Sequence, residues 1–142
     1  DMKHNEIAMS ESFYMSNISP QNPSFNRGIW KKIEKKIRDW TYIYGELLVI
    51  TGPVLDSDYL DVIGENEVSV PKWYYKVVMD LDNYERSIAF LIENQKSSNS
   101  IESFVVTIDQ IEEKSGIDFF YQMNDEIENK IESNKPIELW QW

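Results

Sequence analysis

The sequence contains no cysteine, which excludes disulfides and thiolate metal sites but is compatible with any compartment. Histidine is nearly absent as well, with His4 the single one in 142 residues. No apolar run approaches the roughly 20 residues that a membrane-spanning helix needs. The longest, Leu47–Ile50 and Ala89–Ile92, read as buried strands, and no membrane partner is expected. Internal repeats are missing. So is any spaced Asp-x-Asp-x-Asp-Gly loop, so the C-terminal acids read as a solvated face and not as a Ca2+ site. Basic residues are few: 14 against 25 acids, for a net charge of −11. Taken alone, that balance argues against a nucleic-acid partner, because neutralising phosphates takes Lys and Arg.

What is present points to a folded domain. Aromatic content of 13% and hydrophobic content of 42% are those of a globular chain. The length suits one domain spanning 1–142, large enough to bury a core. The chain starts Asp1-Met2-Lys3 without a charged-then-apolar leader, and we expect a fragment or processed product. A loop and a helical turn near Glu6–Met9 lead to a short buried segment, Phe13–Ser16, and a proline-punctuated loop, Ser19–Ser24. A helix is predicted from Asn26 to Tyr42, because Trp30, Ile33, Ile37 and Trp40 recur on one apolar stripe; Asn26 or Ser24 can cap it. Strands are predicted at Glu46–Thr51 and Trp73–Met79, and again at Ser87–Ile92. Asp61–Ile63 and Val68–Val70 should form a hairpin across Gly64-Glu65-Asn66. Ile101–Thr107 reads as extended, Ile108–Ser115 as a helix closing at Gly116, and Phe119–Ile131 as a further helix. The tail Ile137–Trp142 should dock as a strand or strap. The fold class is α+β, an antiparallel sheet flanked by helices.

The charge is unevenly placed. Between Arg27 and Arg38 stand six basic residues against Glu34 alone, whereas residues 111 to 142 carry eight acids and three lysines. A local basic patch on an acidic body still faces a polyanion. On a regular helix, Asn26, Glu34 and Arg38 share one edge bordering the apolar stripe, with Lys31 nearby. An amide oxygen and a carboxylate beside guanidinium groups suit a hard cation bound largely through water, next to a phosphate. The same spacing also describes a helix cap at Asn26, a surface ion pair between Glu34 and Arg38, and solvated lysines. Asn17 is open to a plain reading as a turn residue ahead of Pro20. Trp73, Tyr74 and Tyr75 are more naturally core than a base-stacking platform.

Several ordered motifs bear on the choice. Ser16-Asn17-Ile18-Ser19-Pro20-Gln21 is followed by Asn26-Arg27-Gly28-Ile29-Trp30 and Glu34. Farther on come Val49-Ile50-Thr51-Gly52-Pro53, Val68-Ser69-Val70-Pro71 with Lys76-Val77, Ala89–Asn94 and Ile111–Phe120. Over residues 1 to 120 this order resembles the DNA/RNA non-specific endonucleases, the ββα-metal (His-Me finger) nucleases that include endonuclease G. The resemblance implies that fold, and an enzyme that hydrolyses phosphodiester bonds of DNA and RNA to 5′-phosphate products. It implies Mg2+ as cofactor, with Mn2+ able to substitute. Asn26 would be the metal ligand, Glu34 would hold water of the metal's shell, and Arg38 would contact phosphate. Asn17 would support the site, and Arg27, Lys31 and Arg38 would line the nucleic acid. Such a site works by Lewis-acid activation, charge stabilisation by arginine and a positioned base.

The chain departs from that pattern at the base. The family's histidine belongs to an Asp-Arg-Gly-His motif that would fall shortly before Asp1. His4 stands too near Asn26 for the family spacing and lacks the Arg-Gly before it, so it reads as a surface loop residue. We therefore expect 1–142 to carry the metal helix without the general base or the first strands of the sheet, and to be inactive alone. Its partners would be nucleic acid, the upstream segment of the same protein and, as among relatives, a second copy in a homodimer. If bacterial, secretion or a periplasmic location is expected over the cytoplasm. The alternatives are a catalytically inactive nucleic-acid-binding relative and an acidic protein-interaction domain.

Overall fold

The computed structural model describes Asn5, Ile7, Ser10, residues 18–55 and residues 61–142. The expectations for His4, Asn17 and Phe13–Ser16, and most of the Glu6–Met9 turn, lie outside the described residues.

The apolar stripe builds helix α1, Lys31–Tyr44, which buries Ile33, Ile37 and Trp40 and ends at Gly45. The strands follow: β1 (Leu47–Pro53), the β2 (Asp61–Ile63) and β3 (Val68–Val70) hairpin, β4 (Trp73–Asp80), β5 (Ser87–Glu93) and the two-residue β6 (Val105–Val106). Helices α2 (Ile108–Ser115) and α3 (Asp125–Glu132) come last. Four strands form one antiparallel sheet in the order β1-β4-β5-β6. Central β4, rich in aromatic and β-branched residues, is buried from Tyr74 to Asp80.

Because successive side chains point to opposite faces of a strand, β4 feeds two cores. Tyr74 and Val78 pack with Phe25, Trp30, Ile33 and Trp40 under α1. Tyr75 and Val77 pack with Ile108, Ile111 and Phe119 under α2. Lys76 shares the parity of Tyr74 and Val78 and so faces α1. Gly52 on β1 permits a close approach across the pair: a Cβ there would lie 2.5 Å from the Tyr75 hydroxyl and 2.7 Å from Cζ.

Three elements differ from expectation. The regular helix begins at Lys31, not at Asn26. Before it lie a short helical turn, Pro23–Phe25, and a wide turn, Asn26–Trp30, kinked at Gly28. The cap is Asn22, whose side chain accepts from the Ser24 amide, rather than Asn26 or Ser24. Ile101–Phe104 is a 3-10 turn, leaving only β6 extended. Phe119–Asn124 is not helical: the Glu112 carboxylate accepts the Phe119 amide at 2.6 Å, and Phe120 takes a φ of 43°. Asn124 then caps α3, whose first turn carries Asp125, Glu126 and Glu128, as the helix dipole favours.

The tail docks as a strap. Trp140 sits 4.2 Å from the Trp40 ring, and the Gln141 carbonyl accepts from Trp40 Nε1 at 2.6 Å. Buried Asp80 pairs with Arg86, whose Nε donates to the Leu139 carbonyl at 3.2 Å.

Candidate metal and nucleic-acid site

The site is built from the loop Ile18–Asn22, the wide turn and the first turns of α1. The loop is anchored at several points on the sheet. The Tyr74 hydroxyl bonds the Ser19 hydroxyl at 2.7 Å and the Pro20 carbonyl at 2.8 Å. Asn94, at the end of β5, accepts from the Asn22 amide at 2.7 Å and donates to the Pro20 carbonyl at 3.2 Å and the Pro71 carbonyl at 2.9 Å. The helix start is fixed from below by Phe25 and Trp30, whose rings meet Tyr74 tilted at 5.5 Å and edge-on at 5.7 Å.

Asn26 is exposed on this turn. Its Nδ2 donates to Gln21 Oε1, which engages the amide nitrogen and leaves Oδ1 as the acceptor end. The kink at Gly28 means that a 100° count does not set Asn26's direction; the Gln21 bond does. Glu34 is half-exposed on α1, and its partner is not Arg38. The Lys76 ammonium lies 4.0 Å from Glu34 Oε1. Arg38 stands one turn on, exposed, with its carbonyl accepting from the Thr41 hydroxyl. Arg27 and Lys31 are exposed too.

Lys76 is the residue that sequence reasoning missed. It is 5% exposed, donates to Thr51 Oγ1 at 2.8 Å, and lies 4.2 Å above the Trp30 ring. Burial pushes its ammonium below the ordinary lysine value, and the Glu34 carboxylate partly counters that. A lysine midway in a strand whose other residues bury was the available signal. Gln21 was missed likewise, although it ends the Ser-Asn-x-x-Pro-Gln motif. Tyr74 and Tyr75 are core, as expected. Trp73 is half-buried, with the ammonium groups of Lys114 and Lys72 at 5.1 and 6.0 Å from its ring.

The donors suit a hard divalent cation. The Asn26 amide oxygen and Glu34 carboxylate are the oxygen ligands such ions take, and neither is consumed by a neutralising contact at ideal distance.

The sequence model of the DNA/RNA non-specific endonuclease family matches residues 1–126. Mitochondrial nuclease EXOG of Danio rerio is 33% identical, the match covering 84% of this chain and 39% of that protein. Mitochondrial endonuclease G of Bos taurus is 33% identical over 79% of this chain and 42% of its own. Nuclease C1 of Cunninghamella echinulata var. echinulata is 32% identical over 82% of this chain and 52% of its own. The chain thus spans about two-fifths to one-half of the length of these relatives. Among solved structures, one described as the EndoG/EndoGI complex, on the mechanism of EndoG inhibition, superposes with a TM-score of 0.69. It is 33% identical and covers 81% of this chain and 53% of that one. The α+β architecture is that of the ββα-metal nucleases. The chain belongs to the DNA/RNA non-specific endonuclease family.

Proposed function

We propose that the whole protein is a Mg2+-dependent endonuclease that hydrolyses DNA and RNA to 5′-phosphate products, with Mn2+ able to substitute. The observation that carries this reading is the exposed Asn26 amide, tied through Nδ2 to Gln21 so that Oδ1 is the end left to accept, on the turn that leads into the basic helix α1. Asn26 would hold the metal and Glu34 would hold water around it. When bound, the ion supplies Lewis-acid activation of the phosphate.

The chain's own residues do the rest. Glu34 accepts hydrogen bonds from water, with the Lys76 ammonium 4.0 Å from its Oε1. The Arg38 guanidinium stabilises negative charge as it develops on the phosphate oxygens. Arg27 and Lys31 hold the backbone without reading bases, so sugar identity matters little. Asn17 would support the site, as the resemblance implies. The proton-accepting group comes from the upstream Asp-Arg-Gly-His segment that the resemblance implies, and residues 1–142 alone do not cleave. A homodimer and, if the protein is bacterial, secretion or a periplasmic location belong to the same reading.

The test is cleavage of supercoiled plasmid and of single-stranded RNA by the whole protein, with Mg2+, Mn2+ or chelator. Cutting of both substrates that chelator abolishes, leaving 5′-phosphate ends, is expected. Salt-sensitive DNA binding without cutting would instead identify an inactive binding relative. No DNA binding at all would identify an interaction domain.

A further inference from the structure

A second group of oxygen ligands lies where α2 meets α3, on the face of the sheet opposite Glu34. Carboxylate oxygens of Asp109, Glu112 and Glu132 all lie within 4.8 Å of one another. That is about twice a Ca–O bond length, so one ion can touch all three. Asp109 and Glu112 come from α2. Glu132 is the last residue of α3 and lies beyond residue 126, where the family match ends.

Glu132 does not belong to the solvated face expected for the C-terminal acids. It is 6% exposed, and its Oε1 has no hydrogen-bond partner. It sits at a helix C-terminus, where the dipole disfavours an anion and favours a cation. Its surroundings deepen the problem. Burial, the charges of Glu112, Glu128 and Asp109, and a hydrogen bond with Glu112 push its pKa up to about 8. Glu128 is likewise raised by desolvation and by Asp118, Asp125 and Glu112. The nearby cations are engaged elsewhere: Lys130 pairs with Glu85, and Lys114 lies over Trp73. Among the described residues, no ammonium or guanidinium pairs with Asp109, Glu112 or Glu132. A buried carboxylate left this way binds either a proton or a metal ion.

We propose that Asp109, Glu112 and Glu132 form a calcium site that clips α3, and with it the C-terminal strap, onto α2. Calcium fits better than magnesium, because carboxylates from two helices make an irregular oxygen set, which the larger ion accepts. With three protein carboxylates, water completes the shell and the affinity falls on the order of 10⁻⁴–10⁻³ M.

The test titrates CaCl2 alone into chelator-stripped protein at pH 8, followed by calorimetry and thermal melting. A calcium-binding step that persists in Asn26→Ala is expected, and calcium at ten times its Kd should raise Tm by roughly 3–6 °C. Glu132→Gln keeps the shape, and exposed Asp109→Asn does not disturb the core. Each should weaken binding at least tenfold, whereas Asn26→Ala should leave it unchanged. No calcium heat or Tm shift at 10 mM would overturn the proposal. Binding unaltered in both acid variants, or lost in Asn26→Ala, would overturn it as well.

Discussion

Lys76→Met separates a positioning role from a structural one. The substitution keeps the unbranched stem against Trp30 and removes the charge beneath Glu34. Its losses are a charge-assisted hydrogen bond to Thr51 at 2.8 Å, about 1.5–3 kcal/mol, and a cation–π contact at 4.2 Å, about 1–2 kcal/mol. Thr51 is exposed and regains water, which cancels much of the first. The Glu34 contact at 4.0 Å contributes no more than about 1 kcal/mol, since that side chain is 40% exposed. Against these stands the relief of an ammonium held in a nearly closed slot, which in buried pairs often equals or exceeds the attraction. Stability in urea should therefore change by no more than about 1 kcal/mol. Catalysis should not be spared: Glu34 loses the group that holds it, and partners of this kind are worth about 10–100-fold. Plasmid cleavage by the whole protein should show kcat reduced by that factor and KM within about twofold, as expected for a group acting on orientation. A folded variant with unchanged kcat would refute the positioning role. A loss of more than about 3 kcal/mol in stability would make Lys76 a core support instead.

Three further outcomes are expected. Gln21→Ala frees the Asn26 amide to rotate; Mn2+ affinity at this site should weaken about 10–100-fold with Tm unchanged, and equal affinity would show that Gln21 does not orient Asn26. Gly52→Ala forces a methyl to 2.5 Å from the Tyr75 hydroxyl of a ring that is 4% exposed, so unfolding should cost about 1–3 kcal/mol less; wild-type stability would mean that the ring yields freely. Glu132 has a folded pKa of about 8 against 4.5 unfolded, so the folded state binds the extra proton. Its contribution to stability is complete below pH 4.5 and is lost as pH rises toward 8, at up to about 1.4 kcal/mol per pH unit. Urea melts in chelator at pH 5, 6.5 and 8 should show that decline in wild type and a flatter profile in Glu132→Gln, and matching profiles would contradict it.

The parts of the molecule governed by local pattern were legible in the sequence. The stripe Trp30, Ile33, Ile37 and Trp40 is buried as read, β1, β4 and β5 stand within a residue or two of their predicted spans, and α2 closes at Gly116 with a φ of 70°. What failed depended on contacts between distant residues. The run Phe119–Asn124 has helical periodicity, yet the Glu112 carboxylate seven residues back captures the Phe119 amide and delays α3 to Asp125. Glu34 and Arg38 have ion-pair spacing, but the strand places Lys76 closer to Glu34. A wheel starting at Asn26 presumed one continuous helix, and the kink at Gly28 removes that premise. The buried Glu132 was invisible for the same reason, since its environment is assembled from α2.

The central claim is that the turn ahead of α1 carries a metal-dependent phosphodiesterase site, and the most direct measurement is the cleavage rate of the whole protein with Asn26→Ala. Asn26 is exposed, so the variant should melt with wild-type Tm. Plasmid cutting at saturating Mg2+ should fall at least a hundredfold, on the order expected for loss of a group that binds the catalytic ion. A folded Asn26→Ala protein that cuts at the wild-type rate would contradict the account.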